Sequence, residues 1–437
     1  MKLQKETLNL FAKRFEQNKN DLIQNSVIHN GIKNTCINHK TLIKHDFVFD
    51  IETDLGEITM QSNSGRCWIF ASLNMARVAV MKNLNVANFE FSQNYFAFYD
   101  KMEKANTFLT KMINNIELPM NDRLIYTFMH GSSASDGGYW EWFASLLNKY
   151  GAVPKSIMPE TFHSGNTTAM NEQIDLRLKQ GVLNLRKAFE AGASLEELNN
   201  IKEEVLYEVY DIVSKCLGTP PTEFTFEYRD KDNKYNKIEN ITPIDFFNKY
   251  VGTDFDQKVN LLHDPRPEFK AGTHYVLKHQ KSVYDDQDVV MINVPLKEIK
   301  EVVINSLKDN VPVWFGCDID AFRDDKSGIL DPELYQYDEV FNKLSLTKSD
   351  RINIFNSTLT HAMAFVGVKT ENGLPVAWKV ENSWGDKYGK KGIFSMSDTW
   401  FDEYNFTVIV DKKYVDAKYL DENNNDVVKL ELWEPLA

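Results

Sequence analysis

The chain has 437 residues, enough for two or three domains, and its 43% hydrophobic and 12% aromatic content is that of a globular protein with a substantial core. A formal net charge of -13 argues against a general nucleic-acid binder, which needs a basic surface to neutralise phosphates. No stretch approaches the ~20 apolar residues of a membrane span and the N-terminus lacks an apolar signal core, so no membrane contact and a cytoplasmic location are expected.

Residues 6–28 carry Leu8, Leu10, Phe11, Phe15, Leu22 and Ile23 at helical spacing with charges between them. An amphipathic helix is predicted there, packed on the main body or, alternatively, against another subunit. Residues 31–60 look irregular, with Phe47-Val48-Phe49 a short strand candidate. A polar loop, Gln61-Ser62-Asn63-Ser64-Gly65-Arg66, then runs into apolar residues at helical spacing. The predicted helix starts near Ser64 and ends at about Lys82, with Cys67 at the join. A thiol there feels the positive end of the helix dipole, which favours the reactive thiolate. A buried structural cysteine is the competing reading, and this stretch by itself does not choose. The other cysteines, Cys36, Cys216 and Cys317, are far apart and form no CxxC pair, which argues against a disulfide framework or a structural zinc site. No metal or cofactor is expected.

A second helix is predicted over 91–98, with Ser92 as N-cap. Asp136-Gly137-Gly138-Tyr139-Trp140 places two glycines before an aromatic helix start, which suits either a tight turn or close approach of a ligand backbone. Gly151 and Pro154 end that helix. Residues 170–216 are charged and helix-forming, with a break at Gly192 and a capping box at Ser194-Leu195-Glu196-Glu197. Residues 222–300 mix strand candidates, 224–228 and 289–292, with polar loops. A helix is predicted over 296–307. Apolar runs at 311–317, 362–368, 376–382, 392–396 and 406–410, separated by turn residues, then suggest an antiparallel sheet or barrel.

His361 sits at the mouth of one β run, and Asn382-Ser383-Trp384-Gly385 follows the next. Either alone reads most simply as structural. The joint order of Gln61, Cys67 before an aromatic, His361 and Asn-x-Trp-Gly resembles the papain-like cysteine peptidases. Within them, Gln-x-x-Ser-Gly-Arg-Cys-Trp-x-Phe-Ala resembles the bleomycin hydrolase and aminopeptidase C branch. The motifs recur from about residue 61 to about 400, so the resemblance covers most of the chain.

The resemblance implies an α+β papain-like fold: a helical half whose central helix starts at Cys67, an antiparallel β-barrel half, and a large, mainly helical insertion. It divides the chain into an N-terminal arm (1–60), the helical half (61–155), an insertion for oligomerisation (156–295), the β half (296–420) and a C-terminal arm entering the cleft (421–437). It implies peptide substrates, Cys67 as nucleophile, His361 as its proton partner and Asn382 as orienter of the imidazole. Trp384 would cover that pair. Gln61 and the Cys67 N–H would form the oxyanion hole. Gly137 and Gly138 would hold an extended substrate by its backbone. The branch commonly assembles as a homo-hexamer. Ser64 stands where many secreted relatives have a disulfide cysteine, which fits a reducing compartment. The ending Leu430-Glu431-Leu432-Trp433-Glu434-Pro435-Leu436-Ala437 resembles an arm whose terminal carboxylate meets the substrate's α-amino group, making an aminopeptidase. It is about three residues shorter after Trp433 than the usual ending, which opens the alternative of an oligopeptidase or endopeptidase. A catalytically dead, scaffolding protein is argued against by the intact Gln61, Cys67, His361 and Asn382.

Overall fold

The Cys67–Asn83 helix is buried on nearly every side, from Trp68 through Arg77 and again at Val80 and Met81. Its residues are apolar all round the helix, and such a helix belongs inside a protein. The computed structural model describes residues 2–18, 20–131, 133–421 and 425–436. Around the central helix lies a helical layer. Ser92 Oγ accepts the Tyr95 N–H at 3.0 Å and starts the helix Gln93–Asn114. With no Gly or Pro in its way, that helix runs well past the predicted end at 98. Trp140–Tyr150 follows the glycine pair and stops at Gly151.

The helices Thr168–Glu190 and Leu195–Leu217 pack on each other. Gly192, at φ 87°, makes the left-handed turn between them, and Ser194 and Glu197 form the expected capping box.

The β half is built on one large sheet. Its antiparallel centre runs through Lys258–Leu262, Asn405–Asp411, Val313–Cys317, His361–Glu371, Leu374–Glu381 and Ile393–Ser397. Parallel pairs flank that centre, Lys258–Leu262 with Val289–Asn293 among them. The helix Leu296–Lys308 packs on it. The region 156–295, expected to be mainly helical, is helical over its first half. Its last part, from Lys258 to Asn293, supplies three strands to the main sheet, so the sheet begins before the predicted boundary at 296.

Two further expectations differ. Phe47-Val48-Phe49 is not a strand. Phe47 has φ 57°, which breaks the extended run, and the strand is Ile51–Glu52, paired with Val368 and Gly367. The amphipathic N-terminal helix forms as Lys5–Gln17 but buries none of its residues. Leu8, Phe11 and Phe15 are 45% or more exposed, so packing on the main body is not its role. No helix among the described residues is long and apolar enough to cross a membrane.

Candidate active site

The loop before Cys67 is locked by its own polar groups. Ser64 Oγ donates to the Gln61 carbonyl at 2.6 Å and accepts from Arg66 Nε at 3.0 Å. Arg66, 2% exposed, grips Glu160 with both terminal nitrogens, at 3.1 and 2.6 Å. Such a bidentate pair fixes direction as well as distance. Gln61 is tied to the opposite half: its N–H donates to the Ser383 carbonyl at 2.7 Å, and its Oε1 accepts from Ser383 Oγ at 2.6 Å. Its Nε2 donates one hydrogen to the Ser64 carbonyl at 2.5 Å and keeps a second.

His361 opens the strand His361–Glu371, opposite Cys317. The chain turns at Asn372-Gly373, both left-handed at φ 53° and 81°, as a two-residue hairpin of this twist requires. The returning strand Leu374–Glu381 delivers Asn382 beside His361. His361 Nε2 lies 2.9 Å from Asn382 Oδ1. The Trp384 ring lies over the imidazole, centroids 4.9 Å apart. The Ala362 N–H reaches the Cys67 sulfur, so the head of the strand and the head of the central helix meet.

Burial pushes the Cys67 thiol up to about 11, against the Ala362 and Trp68 N–H groups, which favour the thiolate. Burial likewise pulls the His361 imidazole down to about 4, against the Asn382 bond, which favours the imidazolium. A lone charge on either residue is therefore disfavoured.

A cavity of about 580 Å³ adjoins the pair and is lined by Gln61, Cys67, Gly137, Gly138 and His361 among others. The two glycines differ. A Cβ on Gly138 would stand 2.5 Å from the Trp68 ring, whereas one on Gly137 would meet nothing within 4 Å. Gly138 is a glycine because the indole needs the space; Gly137 leaves open space beside it.

The C-terminal segment reaches the same cavity at one residue. Val427–Leu430 adds a parallel strand beside His274–Leu277. Leu432 lines the cavity, the Trp433 ring lies 3.9 Å from the Arg123 guanidinium, and Glu434 pairs with Arg266. Thr358 Oγ1 donates to the Pro435 carbonyl at 2.8 Å, and Leu436 is 1% exposed. Ala437 lies outside the described residues.

Sequence reasoning passed over several residues here. Tyr139, Trp142, Asn260 and Leu359 line the cavity, and Lys104 reaches it from behind. Asn260 comes from the region taken as insertion, and a lysine within a charged helix signals solvent rather than a cavity wall. The dipeptide Asn372-Gly373 was the one local signal for the hairpin that joins His361 to Asn382.

A cleft between a helical and a β half, with a cysteine heading the central helix and a His-Asn pair on a hairpin, is the arrangement of the papain-like cysteine peptidases. The model of the Peptidase C1-like family matches residues 2–437, and the chain belongs to that family. Aminopeptidase C of Listeria monocytogenes is 36% identical over 99% of this chain and 98% of its own length. Aminopeptidase E of Lactobacillus helveticus is 36% identical over 98% of each, and human bleomycin hydrolase is 34% identical over 95% of this chain and 94% of its own. The crystal structure of PepW from Lactobacillus rhamnosis HN001 superposes with a TM-score of 0.96 at 35% identity, over 100% of this chain and 98% of that one. These relatives put the chain in the class of cysteine aminopeptidases.

Proposed function

We propose that the protein hydrolyses peptides from their free amino end by a Cys67–His361–Asn382 mechanism, through a thioester. The observation that carries this is His361, hydrogen-bonded to Asn382 and next in the chain to Ala362, whose N–H reaches the Cys67 sulfur. Asn382 Oδ1 also accepts the Ser383 N–H at 2.8 Å, so it is an acceptor and the imidazole proton is on Nε2. The Nδ1 lone pair is then free to take the Cys67 proton as sulfur attacks the substrate carbonyl. The oxyanion that forms is met by the spare Gln61 Nε2 hydrogen and by the Cys67 N–H, which the helix itself leaves unused. Collapse breaks the C–N bond, and His361 returns the proton to the leaving amine. Water, deprotonated by His361, then attacks the thioester carbon, releasing the new carboxylate and restoring the thiol.

The preference for a free amino terminus is assigned to the C-terminal arm. No carboxylate lines the cavity among the described residues, so nothing else there would neutralise an α-ammonium group. Burial of Leu436 and the Glu434–Arg266 pair support an arm held in place, with the terminal carboxylate one residue further on. The test compares a free peptide of several residues with its N-acetylated form. The expected result is cleavage of the free form and poor cleavage of the blocked one; equal rates on both would sink the aminopeptidase reading. A second reading, release of longer N-terminal fragments, draws support from the reach of the cavity to Lys111 and Lys281.

The uncovered apolar face of Lys5–Gln17 supports assembly into an oligomer, for which a hexamer is our proposal. Four free cysteines support a reducing, cytoplasmic setting.

A further inference from the structure

The segment from Ser133 to Tyr139, which carries Gly137 and Gly138, has neither helix nor strand, yet charged side chains brace it from behind. Lys101 and Lys104 lie one turn apart on Gln93–Asn114 and are 2% and 7% exposed. Lys101 Nζ donates to the carbonyls of Ala134 and Ser135 at 2.7 and 3.0 Å and to Asp136 Oδ1 at 2.6 Å. Lys104 Nζ donates to the carbonyls of Ser135 and Gly137 at 2.8 and 2.7 Å and to Asp100 Oδ2 at 2.8 Å. An ammonium has three hydrogens, so both groups are fully engaged.

Asp136 carries the brace to the Cys67 loop. Its Oδ2 accepts the Gly65 N–H at 3.0 Å and Thr167 Oγ1 at 2.5 Å, and its Oδ1 also accepts Asn171 Nδ2 at 2.9 Å. Burial opposes ionisation, but the Lys101 ammonium and these donors hold the carboxyl well below the usual range. Taking two ammonium groups out of water is costly, and an apolar core would fill the same space without that cost. What the ionic version adds is direction: three carbonyls of an irregular loop are fixed in place, together with the N–H two residues before the nucleophile.

We infer that Lys101, Lys104 and Asp136 are positioning residues, which set the Gly137 backbone against the Gly65 side of the cleft and so fix the slot that receives the substrate backbone. This rests on the reading that Gly137 and Gly138 hold substrate. The test replaces the pair as Lys104→Met with Asp100→Leu, so that no buried charge is orphaned. The expected result is a rise in KM of about tenfold or more, while Cys67 alkylation by iodoacetamide stays within about twofold of the parent. An unchanged KM overturns the inference. So does alkylation slowing in step with kcat/KM, which would make Lys104 a packing residue for the whole site. If that variant does not fold, Thr167→Val removes one donor from Asp136 and leaves no charge unpaired. A KM rise of about threefold then supports the inference and an unchanged KM overturns it. Failure of the Gly137 and Gly138 reading is told apart by Gly137→Ala in the otherwise unaltered protein, whose KM would then be unchanged.

Discussion

His361 Nε2 and Asn382 Oδ1 are 2.9 Å apart, and the hairpin turn at Asn372-Gly373 is what brings them together. The bond favours the imidazolium, while burial favours the neutral ring, and burial wins, so the group titrates at about 4. Protonated His361 cannot accept the Cys67 proton. The acid limb of kcat/KM is therefore expected near pH 4. Asn382→Ala removes the bond that favours the imidazolium, so the limb moves to lower pH. At neutral pH kcat falls by at least about tenfold, because the ring loses its orientation. A kcat/KM profile from pH 3 to 8 checks this. An acid limb that stays where the parent has it would show that Asn382 does not act on His361.

Gly137 and Gly138 separate packing from binding. Gly138→Ala drives a methyl group into the Trp68 ring, 2.5 Å away, on a helix with no room to shift. Overpacking of this kind costs about 1–3 kcal/mol, and thermal unfolding is expected at lower temperature with activity reduced alongside. Gly137→Ala meets nothing within 4 Å, and its backbone needs no left-handed conformation. The variant is expected to keep the parent's melting temperature and to lose substrate affinity, since its methyl group stands in the cavity. A Gly137→Ala protein with unchanged KM would remove Gly137 from the substrate-binding wall.

The Glu434–Arg266 pair fastens the arm. Arg266 is 4% exposed and is also held by Asp264, so it stays in place when Glu434 changes. Glu434→Gln weakens the fastening, and deletion from Glu434 onward removes it along with Leu436. The expected outcome of the deletion is a gain on N-acetylated peptides and a loss on free aminopeptidase substrates, with Glu434→Gln between. If neither substrate class responds to the deletion, the arm does not set specificity.

How far these features could be read beforehand follows from the range of the forces involved. The caps at Ser92 and Ser194 and the turn at Gly192 are local, and a few residues of sequence state them. The apolar runs of the β half are period-two patterns, likewise local. The strands Lys258–Leu262, His274–Leu277 and Val289–Asn293 are short and sit among polar loops; what makes them strands is pairing, with Asn405–Asp411 in the case of Lys258–Leu262. The Lys5–Gln17 periodicity announces an apolar face but not what covers it. Lys101 and Lys104 lie beyond the helix predicted over 91–98, and nothing local singles them out, because their partners include carbonyls of a distant loop. The order of Gln61, Cys67, His361 and Asn382 was legible as a pattern. That Gln61, Cys67 and His361 line one cavity, with Asn382 bonded to His361, needed the folded chain.

The halves are themselves joined by a buried ion pair, Arg77 with Glu381, 1% and 2% exposed. Arg77 projects from the central helix that Cys67 heads, and Glu381 is the last residue of the strand that delivers Asn382. Asn74 Nδ2 donates to the same Glu381 oxygen at 3.0 Å. Arg77→Met would leave the carboxylate buried and without its cation, at a cost of about 3–5 kcal/mol. Burial already pushes the Glu381 carboxyl upward, and Arg77 opposes that. Without Arg77 the carboxyl rises further. A group whose pKa is raised on folding favours the folded state below its unfolded value and loses that contribution as pH rises through the folded value. The stability deficit of Arg77→Met is therefore expected to be largest at neutral pH and to shrink toward pH 5. Denaturant unfolding of parent and variant at both pH values checks this. A deficit that does not change with pH would show that the Glu381 charge is not what Arg77 compensates.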